Sequence, residues 1–260
     1  MQPASSPALV SITSRSSQWF KRFRKAIDEH EHEVVLEGPK QIRDSIALGW
    51  RPLAIAWDGD QAGPLAAAAP RLGFEKSLFH ALSTTRHSQG VLGLFERRHY
   101  KLEDVFADES RIAVILDAVQ DPGNVGTMIR LAAAFEASGV VVVSGSADPL
   151  SQKAIRASAG AVLQIPVARA RTDEILSALQ ERSWPLFAAS RLKGTDVDDN
   201  VPSSRAAIVF GNEGAGVSPD FLKMARPLSV KISESVESLN VAAAAAILLS
   251  KSYELRITRP

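Results

Sequence analysis

The second half of the chain alternates between short apolar runs and longer stretches in which apolar residues recur at helical spacing. The apolar runs predict strands at Ile112–Leu116, Val140–Val143, Val162–Ile165, Leu186–Ala189, Ala207–Phe210 and Leu228–Ile232. The stretches between and after them predict helices at Val125–Ala137, Gln152–Ser158, Thr172–Arg182, Pro219–Met224 and Val241–Leu255. Near-continuous apolar strands that alternate with helices are typical of a parallel sheet covered on both faces. This half is therefore predicted to be an α/β domain.

The first half carries a shorter pattern of the same kind. Residues 17–29 predict a helix, because Phe20, Phe23 and Ile27 recur at i, i+3 and i+7. Further elements are predicted as a helix at Lys40–Leu48 and as strands at Val34–Leu36, Leu53–Trp57, Leu78–Phe79 and Val91–Phe95.

The patterning also indicates where the domains begin and end. Residues 1–14 are rich in serine and proline and predict a flexible tail. Residues 106–110 lie in a charged, weakly patterned stretch and are the predicted linker. We therefore expect a smaller N-terminal α/β domain at 15–105 and a second domain at 111–260.

The composition excludes several classes of site. The 260 residues are 45% hydrophobic and 23% charged, as in an ordinary globular protein, and the net charge of +1 gives no global field toward nucleic acid. The absence of cysteine excludes disulfides, thiolate zinc sites and cysteine nucleophiles. The longest apolar run, Val241–Leu249, is too short to cross a bilayer, and the N-terminus lacks the apolar stretch of a secretory signal. We expect a cytoplasmic protein with no membrane segment.

The histidines do not predict a metal site. All five lie in the first half of the chain, and no two of them are spaced as H-x-x-x-H. His30 and His32 are two residues apart, so they cannot share one face of a helix. We expect no metal.

Three short polar turns carry the candidate chemistry of the second half. They lie within Asp117–Arg130, Phe210–Gly216 and Ser238–Asn240, and each contains glycine or asparagine between a predicted strand and a helix. Such turns place main-chain N–H groups and small side chains at the carboxyl ends of strands, where open α/β sheets bind ligands. Three of them on one domain predict a small-molecule site.

Each candidate residue in these turns also has a structural interpretation. Asn124 is a good N-cap for the helix that follows it, and Ser238 or Asn240 could cap the last helix. Arg130 lies in a mostly apolar helix and is either a salt-bridge partner or a site residue. Glu213, between glycines, is either an ordinary loop carboxylate or part of the site. The residue types alone leave these alternatives open.

The glycines at residues 211–216 do not form a dinucleotide fingerprint. Their spacing is G-x-x-G-x-G after a late strand, whereas the fingerprint needs G-x-G-x-x-G after the first strand and an acidic residue about 20 positions on. The sequence therefore disfavours a nucleotide-dependent oxidoreductase.

The N-terminal segment 1–27 has a marked excess of positive charge. It contains no acidic residue and the five basic residues Arg15, Lys21, Arg22, Arg24 and Lys25. Aromatic rings alternate with the basic positions in the predicted helix, a pattern compatible with an RNA-facing surface. A solvated basic face over buried rings would give the same pattern.

At the three turns the sequence resembles the SpoU/TrmH family of RNA ribose 2′-O-methyltransferases. Asp117–Arg130 matches the pattern D-x-x-x-D-P-x-N-x-G-x-x-x-R, Phe210–Gly216 matches F-G-x-E-G-x-G, and Ser238–Asn240 matches S-L-N. The N-terminal half matches more weakly, through Glu33–Gly38, which resembles the I-L-E-G strand of the family. One departure is Lys231, where the family usually has proline in an I-P-M strand.

The resemblance implies the fold and the partners. It implies a SPOUT-type parallel sheet with a C-terminal trefoil knot, S-adenosyl-L-methionine bound at the knot, and a homodimer with its sites at the interface. The small side chains of Ala242–Ala246 would allow a second subunit to approach closely, although a plain buried helix would show the same run. The N-terminal domain would bind the substrate RNA. Ribosomal RNA is favoured over transfer RNA because of that extension; the alternatives are a tRNA ribose methyltransferase and a non-catalytic RNA-binding protein that retained the fold.

The resemblance also implies a role for each motif residue. The residues expected at the reacting ribose are Arg130, Asn124, Glu213, Ser238 and Asn240. The residues expected to line the cofactor cleft are Gly211, Val230, Ile232, Leu239 and Asn240. Because the pKa of an arginine side chain exceeds ~12, we expect the guanidinium at the ribose to act as a cation that stabilises developing alkoxide or grips phosphate, rather than as a literal base.

Overall fold

The chain divides into two compact units, Met1–Arg98 and His99–Pro260. The computed structural model describes residues 9–59, 65, 69–85, 87–190, 201–233 and 235–258, so part of the predicted tail, residues 1–8, lies outside the described residues. The boundary between the units precedes the segment 106–110 that was expected to be a linker. The physical reason is that Val105 and Phe106 are buried in the core of the second unit.

The first unit is built on a mixed five-stranded sheet in the order β1-β4-β3-β5-β2. Its strands are β1 (Leu9–Ile12), β2 (Glu33–Glu37), β3 (Pro52–Asp58), β4 (Arg71–Phe74) and β5 (Val91–Glu96). Its helices are α1 (Gln18–Asp28), α2 (Pro39–Ala47) and α3 (Lys76–Leu82). The first three strands in the sheet order run parallel, and β5 runs antiparallel to both of its neighbours. Phe23 and Phe74 meet edge to face in the core, with ring centroids 5.7 Å apart.

Two expectations for the first unit are wrong. Leu78 and Phe79 lie on helix α3 instead of a strand, because they bury one helical face together with Leu82. Residues 9–12 form β1 instead of belonging to a flexible tail. This strand pairs in parallel with β4, which the apolar pattern does not predict either. Both strands are only four residues long, and pairing between distant segments supplies their stability.

The second unit is built on a six-stranded sheet in the order β11-β9-β10-β6-β7-β8, in which all neighbours are parallel. Its strands are β6 (Ile112–Leu116), β7 (Gly139–Val143), β8 (Val167–Ala170), β9 (Leu186–Ala189), β10 (Ala206–Phe210) and β11 (Arg226–Leu228). Its α-helices are α4 (Leu102–Val105), α5 (Pro122–Ala134), α6 (Gln152–Ala157), α7 (Thr172–Glu181), α8 (Pro219–Leu222) and α9 (Val241–Thr258). The predicted α/β class with a parallel sheet is confirmed.

The order of the strands reverses in the middle of this sheet. The chain continues from β6 to β7 and β8 on one side, and later places β9 and β10 on the other side. The central pair β6 and β10 are in register, with Leu116 opposite Phe210 at their carboxyl ends, and every residue of both strands is buried. In open α/β sheets the crevice at such a reversal is where ligands bind. The first two motif turns follow these two strands.

Two strand predictions in the second unit differ from the structure. Residues 161–163 form a 3₁₀ turn that follows Gly160 in the left-handed region (φ 84°), and the strand begins only at Val167. The last predicted strand, Leu228–Ile232, ends at Leu228, because β11 has a partner only along β9 and only over three residues. The residues after it line a cavity instead. No helix in the described part of the chain has the length and hydropathy needed to span a membrane.

Candidate functional site

The turn after β6 begins α5 with Asp121 as the N-cap. The Asp121 side chain accepts hydrogen bonds from the main-chain N–H groups of Gly123 and Asn124 and an ion-paired hydrogen bond of 2.9 Å from Lys153. The bond from Lys153 is the largest reason why the pKa of Asp121 lies below its ordinary value. The expectation that Asn124 is the N-cap is therefore wrong. Its side chain is left to reach another turn.

The motif glycine at position 126 has a packing role. A Cβ atom there would lie 2.2 Å from the carbonyl oxygen of Ala154, so only glycine lets α5 pack this closely on α6. The glycine thereby fixes the helix that carries both Asn124 and Arg130.

The turn after β10 is a tight hairpin that presents Glu213. Asn212 and Gly216 exchange two main-chain hydrogen bonds of 3.0 and 2.9 Å, and the Asn212 side-chain oxygen accepts from the N–H groups of Gly214 and Ala215. Gly211 is buried, and a Cβ atom on it would lie 2.1 Å from the carbonyl carbon of Gly216. The hairpin can therefore close only if residue 211 is glycine.

The third turn ends at the start of α9. The Asn240 side-chain oxygen accepts a hydrogen bond of 2.9 Å from the N–H of Ala242, which caps the helix as one of the structural interpretations expected. Its side-chain nitrogen then points to the first turn, where it lies 3.4 Å from the side-chain oxygen of Asn124.

The three turns meet through one chain of hydrogen bonds. Asn240 donates to Asn124, and Asn124 donates in turn to Glu213 over 2.8 Å. The other carboxylate oxygen of Glu213 accepts from the main-chain N–H of Gln120 at 3.4 Å. Residues 116 and 89 positions apart in the chain are thus in contact. Gln120 was not among the expected site residues, and only its place inside the first motif could have suggested it.

Glu213 is an acceptor in this cluster. Its burial would raise the pKa of the carboxyl, but the hydrogen bonds from Asn124 and from main-chain N–H groups outweigh burial, so that the pKa lies below the ordinary value of 4.5. The carboxylate is therefore ionised at neutral pH. It holds Asn124 in a fixed orientation and does not supply a proton.

We expect the stabilisation by the Glu213 carboxylate to be complete above its unfolded-state pKa and to be lost as the pH falls through the lower pKa of the folded protein. Free energies of unfolding of the wild type and Glu213→Gln, measured between about pH 3 and about pH 8, should differ by a constant amount near neutrality and converge at the acid end. A difference that stays the same down to the lowest pH would contradict this assignment.

A cavity of about 1170 Å³ opens beside the cluster. It is bounded by the ends of β9, β10 and β11, by the segment after β11 and by the start of α9. All five residues expected at a cofactor line it: Gly211, Val230, Ile232, Leu239 and Asn240. Glu213 and Ser238 line it as well. The lining residues that the sequence did not suggest include Ala189, Ser190, Ala244 and Leu248.

Arg130 is placed differently from the other motif residues. It is exposed on α5 and does not line the cavity. It follows Asn124 by six residues, which places it about 9 Å further along the helix and about 120° around it. Within the described residues it has no ion-pair partner, so the salt-bridge interpretation is not supported. A single chain brings Asn124, Glu213, Ser238 and Asn240 to one place and leaves Arg130 facing solvent.

The predicted RNA-facing cations of α1 fall into two groups. Arg22 forms an ion pair with Glu33 at 2.5 Å, Arg24 donates to the carbonyl oxygen of Ala81, and Lys25 lies 3.4 Å from a carboxylate one turn on. Two cations, Lys21 and Arg15 (the latter just before α1), are exposed and form no ion pair within the described residues. The rings Phe20 and Phe23 are buried in the core, as the alternative interpretation of this helix expected.

The second unit matches a known protein family. The model of the SpoU rRNA Methylase family covers residues 111–250, more than half of the chain. The chain belongs to the SpoU rRNA methylase family. This match confirms the resemblance that the three motifs indicated.

Among the described residues no group of three histidine or acidic side chains is arranged to hold a metal ion.

Individual SpoU relatives extend the match beyond the second unit. RlmP of Bacillus subtilis, a 23S rRNA (guanosine(2553)-2′-O)-methyltransferase, is 35% identical over 179 residues, which are 68% of this chain and 69% of that protein. A 23S rRNA (adenosine(1067)-2′-O)-methyltransferase of Streptomyces laurentii is 32% identical over 60% of each chain.

A solved structure covers nearly the whole chain. An AdoMet-bound rRNA methyltransferase of Sinorhizobium meliloti superposes with a TM-score of 0.84 at 28% identity, over 95% of this chain and 98% of that one. AdoMet is S-adenosylmethionine. The similarity to this structure therefore extends over residues of both units.

Proposed function

We propose that the protein transfers a methyl group from S-adenosylmethionine to a ribose 2′-hydroxyl of ribosomal RNA. The observation that carries the proposal is the chain of hydrogen bonds from Asn240 through Asn124 to Glu213 at the wall of the cavity. Relatives that methylate 23S rRNA at ribose, and an AdoMet-bound neighbour, support it. Such a substrate would place the protein in the cytoplasm.

The residues of the cavity suit S-adenosylmethionine. Residues 229–233 leave the sheet and line the cavity, so their main chain is available to a planar base. The carboxylates of Glu213 and Glu237 line the same cavity and suit the positive charges of the cofactor. When bound, the cofactor supplies a methyl group already activated by a sulfonium, and this chemistry requires no metal. Lys231, which departs from the family pattern, also lines the cavity and is compatible with the carboxylate of the cofactor.

The chemistry left to the protein is positioning and charge. Asn124, Ser238 and Asn240 orient the ribose, and ionised Glu213 keeps the Asn124 amide from turning. The guanidinium of Arg130 stabilises the alkoxide that develops on the 2′-oxygen or holds the adjacent phosphate with two parallel hydrogen bonds. Holding the reacting atoms in line can contribute about 7–11 kcal/mol in ideal cases.

In a homodimer with its sites at the interface, Arg130 would lie at a methyl-transfer site. Helix α9 offers the surface on which the two copies would pair. Its first nine residues, Val241–Leu249, are all apolar, which is typical of a helix segment covered on all sides. One side packs on α5, where the rings of Phe135 and Tyr253 are 6.1 Å apart. The other side carries exposed Ala243, Ile247 and Ile257. We infer that a second copy covers this stripe. The trefoil knot of SPOUT proteins is part of the same proposal, supported by the hairpin 211–216 and by residues 229–233 and 236–241, which line one cavity.

Replacing Ile247 with glutamate should convert the dimer to a monomer. Ile247 is 43% exposed in the single chain, and a charge buried in a dimer interface without a partner destabilises association strongly. Light scattering on the purified protein measures the change. Leu48→Glu is the matched control, since Leu48 is equally exposed (42%) but lies in the first unit. A dimer that survives Ile247→Glu unchanged would refute this interface.

The first unit is proposed to select the RNA. Its exposed cations Arg15 and Lys21 are available to phosphate groups, whereas Arg22 and Arg24 already have protein partners. Of the five basic residues expected to contact RNA, we therefore propose Arg15 and Lys21 as the main phosphate contacts.

Replacing both Arg15 and Lys21 with glutamine should weaken RNA binding and lower its salt dependence. Each lost phosphate contact reduces the slope of log K against log salt by about 0.9, so the slope should fall by about 2. Turnover at saturating RNA should not change. Lys223→Gln, at an exposed cation of the second unit, is the control. An unchanged salt slope would remove these two residues from the RNA interface.

The alternative of a non-catalytic RNA-binding protein makes a different prediction. Such a protein would bind RNA without S-adenosylmethionine, and the hydrogen-bonded cluster of Asn124, Glu213 and Asn240 at the cavity favours the enzyme. Mapping 2′-O-methyl groups in total RNA, with and without the gene, tests the proposal. A site lost only from ribosomal RNA supports it, a site lost from transfer RNA favours the tRNA alternative, and no lost site contradicts both.

A further inference from the structure

A buried carboxylate lies beneath the hydrogen-bonded cluster. Asp117 is 3% exposed and directly follows β6, at the start of the first motif. Its side-chain oxygen accepts a hydrogen bond of 2.7 Å from the main-chain N–H of Ser218, the second residue after the hairpin. Its own main-chain N–H donates to the carbonyl oxygen of Phe210, the residue before the hairpin. Asp117 therefore contacts both ends of the hairpin that presents Glu213.

A second bond links the same two turns in the opposite direction. The side-chain nitrogen of Asn212 donates to the carbonyl oxygen of Ala118 over 2.9 Å. Ala118 has a φ of 55°, which a residue with a Cβ rarely adopts, so its carbonyl is held in an unusual direction. Each turn thus uses one side chain to bind the main chain of the other turn.

These two links determine where Glu213 lies. The hairpin is closed upon itself, so it moves as one piece with its two anchors at residues 212 and 218. The direct bond from Asn124 to Glu213 joins the tips of the two turns, and the links at Asp117 and Ala118 join their bases. Gly211, at the base of the hairpin, lines the cavity, so a displaced base would also change the cavity wall.

Asp117 acts on the hairpin as a hydrogen-bond acceptor and not through an ion pair. Among the described residues no cationic side chain forms a salt bridge with it. The link therefore requires an acceptor oxygen for the buried main-chain N–H of Ser218, which a neutral amide at position 117 could also supply. The Ser218 hydroxyl is also buried and has no hydrogen-bond partner in the described part of the chain, so only its main-chain N–H takes part in the link.

We propose that Asp117 is a positioning residue of the methyl-transfer site, which sets the hairpin so that Glu213 meets Asn124 and the cofactor cavity keeps its shape. This inference rests on the proposed function. The role of Asp117 concerns the cofactor affinity and the geometry of the site, and it leaves the reaction type unchanged.

The test compares Asp117→Ala, Asp117→Asn and Ser218→Ala in the full-length protein. Calorimetry measures the Kd of S-adenosylmethionine, and steady-state kinetics measures kcat and the KM for RNA. Losing an acceptor that leaves a buried N–H unsatisfied should weaken cofactor binding and lower kcat by about tenfold or more, without a change in the KM for RNA. Asp117→Asn keeps an acceptor oxygen and should recover most of the loss. Ser218→Ala keeps the N–H and should behave as wild type.

If Asp117→Ala does not fold, the variant Asn212→Asp tests the same link between the two turns. Asn212→Asp keeps the oxygen that orders the hairpin but removes the donor to Ala118, so it should reproduce the loss of affinity. The inference is overturned if a folded Asp117→Ala or Asn212→Asp protein has a lower Tm but binds the cofactor with the wild-type Kd. Failure of the wild type to bind S-adenosylmethionine would instead refute the proposed function.

Discussion

Replacing Arg130 with alanine is expected to lower the turnover of methyl transfer by about a hundredfold or more, the scale on which enzymes lose rate when one donor to a developing oxyanion is removed. The affinity for S-adenosylmethionine should barely change, because Arg130 does not line the cavity. Folding should not change either, since Arg130 is exposed on α5 and has no ion pair within the described residues to lose. Turnover on dimeric protein and cofactor titration are the two measurements.

Arg130→Lys separates the two roles left to the cation. A point charge is enough to stabilise an alkoxide, so partial recovery would indicate electrostatic stabilisation. Recognition of a phosphate through two parallel hydrogen bonds needs the planar guanidinium and would not tolerate lysine. Arg171→Ala is the matched control, because Arg171 is also an exposed arginine of the second unit. Near-normal turnover of Arg130→Ala, measured on folded dimer, would remove Arg130 from the site.

Replacing Gly211 with alanine is expected to weaken cofactor binding by about a hundredfold or more. The added Cβ would lie 2.1 Å from the carbonyl carbon and 2.3 Å from the carbonyl oxygen of Gly216, and both neighbours are main chain that cannot rotate away. Overpacking costs about 1–3 kcal/mol even where side chains adjust, and about 1.4 kcal/mol is tenfold in affinity. The hairpin would have to open and take Glu213 away from Asn124.

Gly214→Ala is the matched control for this substitution. Gly214 lies in the same hairpin but is exposed, and a Cβ there would meet only the Asn212 side-chain oxygen at 3.5 Å, an ordinary contact. It should bind the cofactor within a few-fold of wild type. Equal affinity of the two alanine variants would show that closure of the hairpin does not determine the cavity. Cofactor titration by calorimetry gives both values.

The predictable part of the fold is the part set by local pattern. The strands β6, β7, β9 and β10 consist of continuous apolar residues, and each was predicted within a residue or two. The carboxyl ends of β6 and β10 were expected to carry the site, because two of the three polar turns follow them. The strands β1 and β4 escaped prediction because their four residues, Leu-Val-Ser-Ile and Arg-Leu-Gly-Phe, are not continuous apolar runs, and their mutual pairing joins segments about 60 positions apart.

The site shows the same division. The residues around the cavity could be named from the motifs, whereas the partner of each side chain could not. Asn124 looked like a helix cap, and the cap turned out to be Asp121, three residues earlier, because the helix already begins at Pro122 and the Asp121 side chain accepts from the N–H groups of Gly123 and Asn124. Only the fold shows that this leaves the Asn124 amide for Glu213. Arg130 lies outside the cavity of its own chain because six residues of helix α5 turn it about 120° away from Asn124.

Methyl transfer to ribosomal RNA can be measured directly. Purified protein is incubated with ribosomal RNA and S-adenosylmethionine labelled in its methyl group, and the RNA is then digested to nucleosides. We expect the label to appear in a single nucleoside methylated at the ribose 2′-oxygen. Arg130→Ala should abolish most of the transferred label. Label on a base, or no transfer by a protein that binds both RNA and cofactor, would contradict the account.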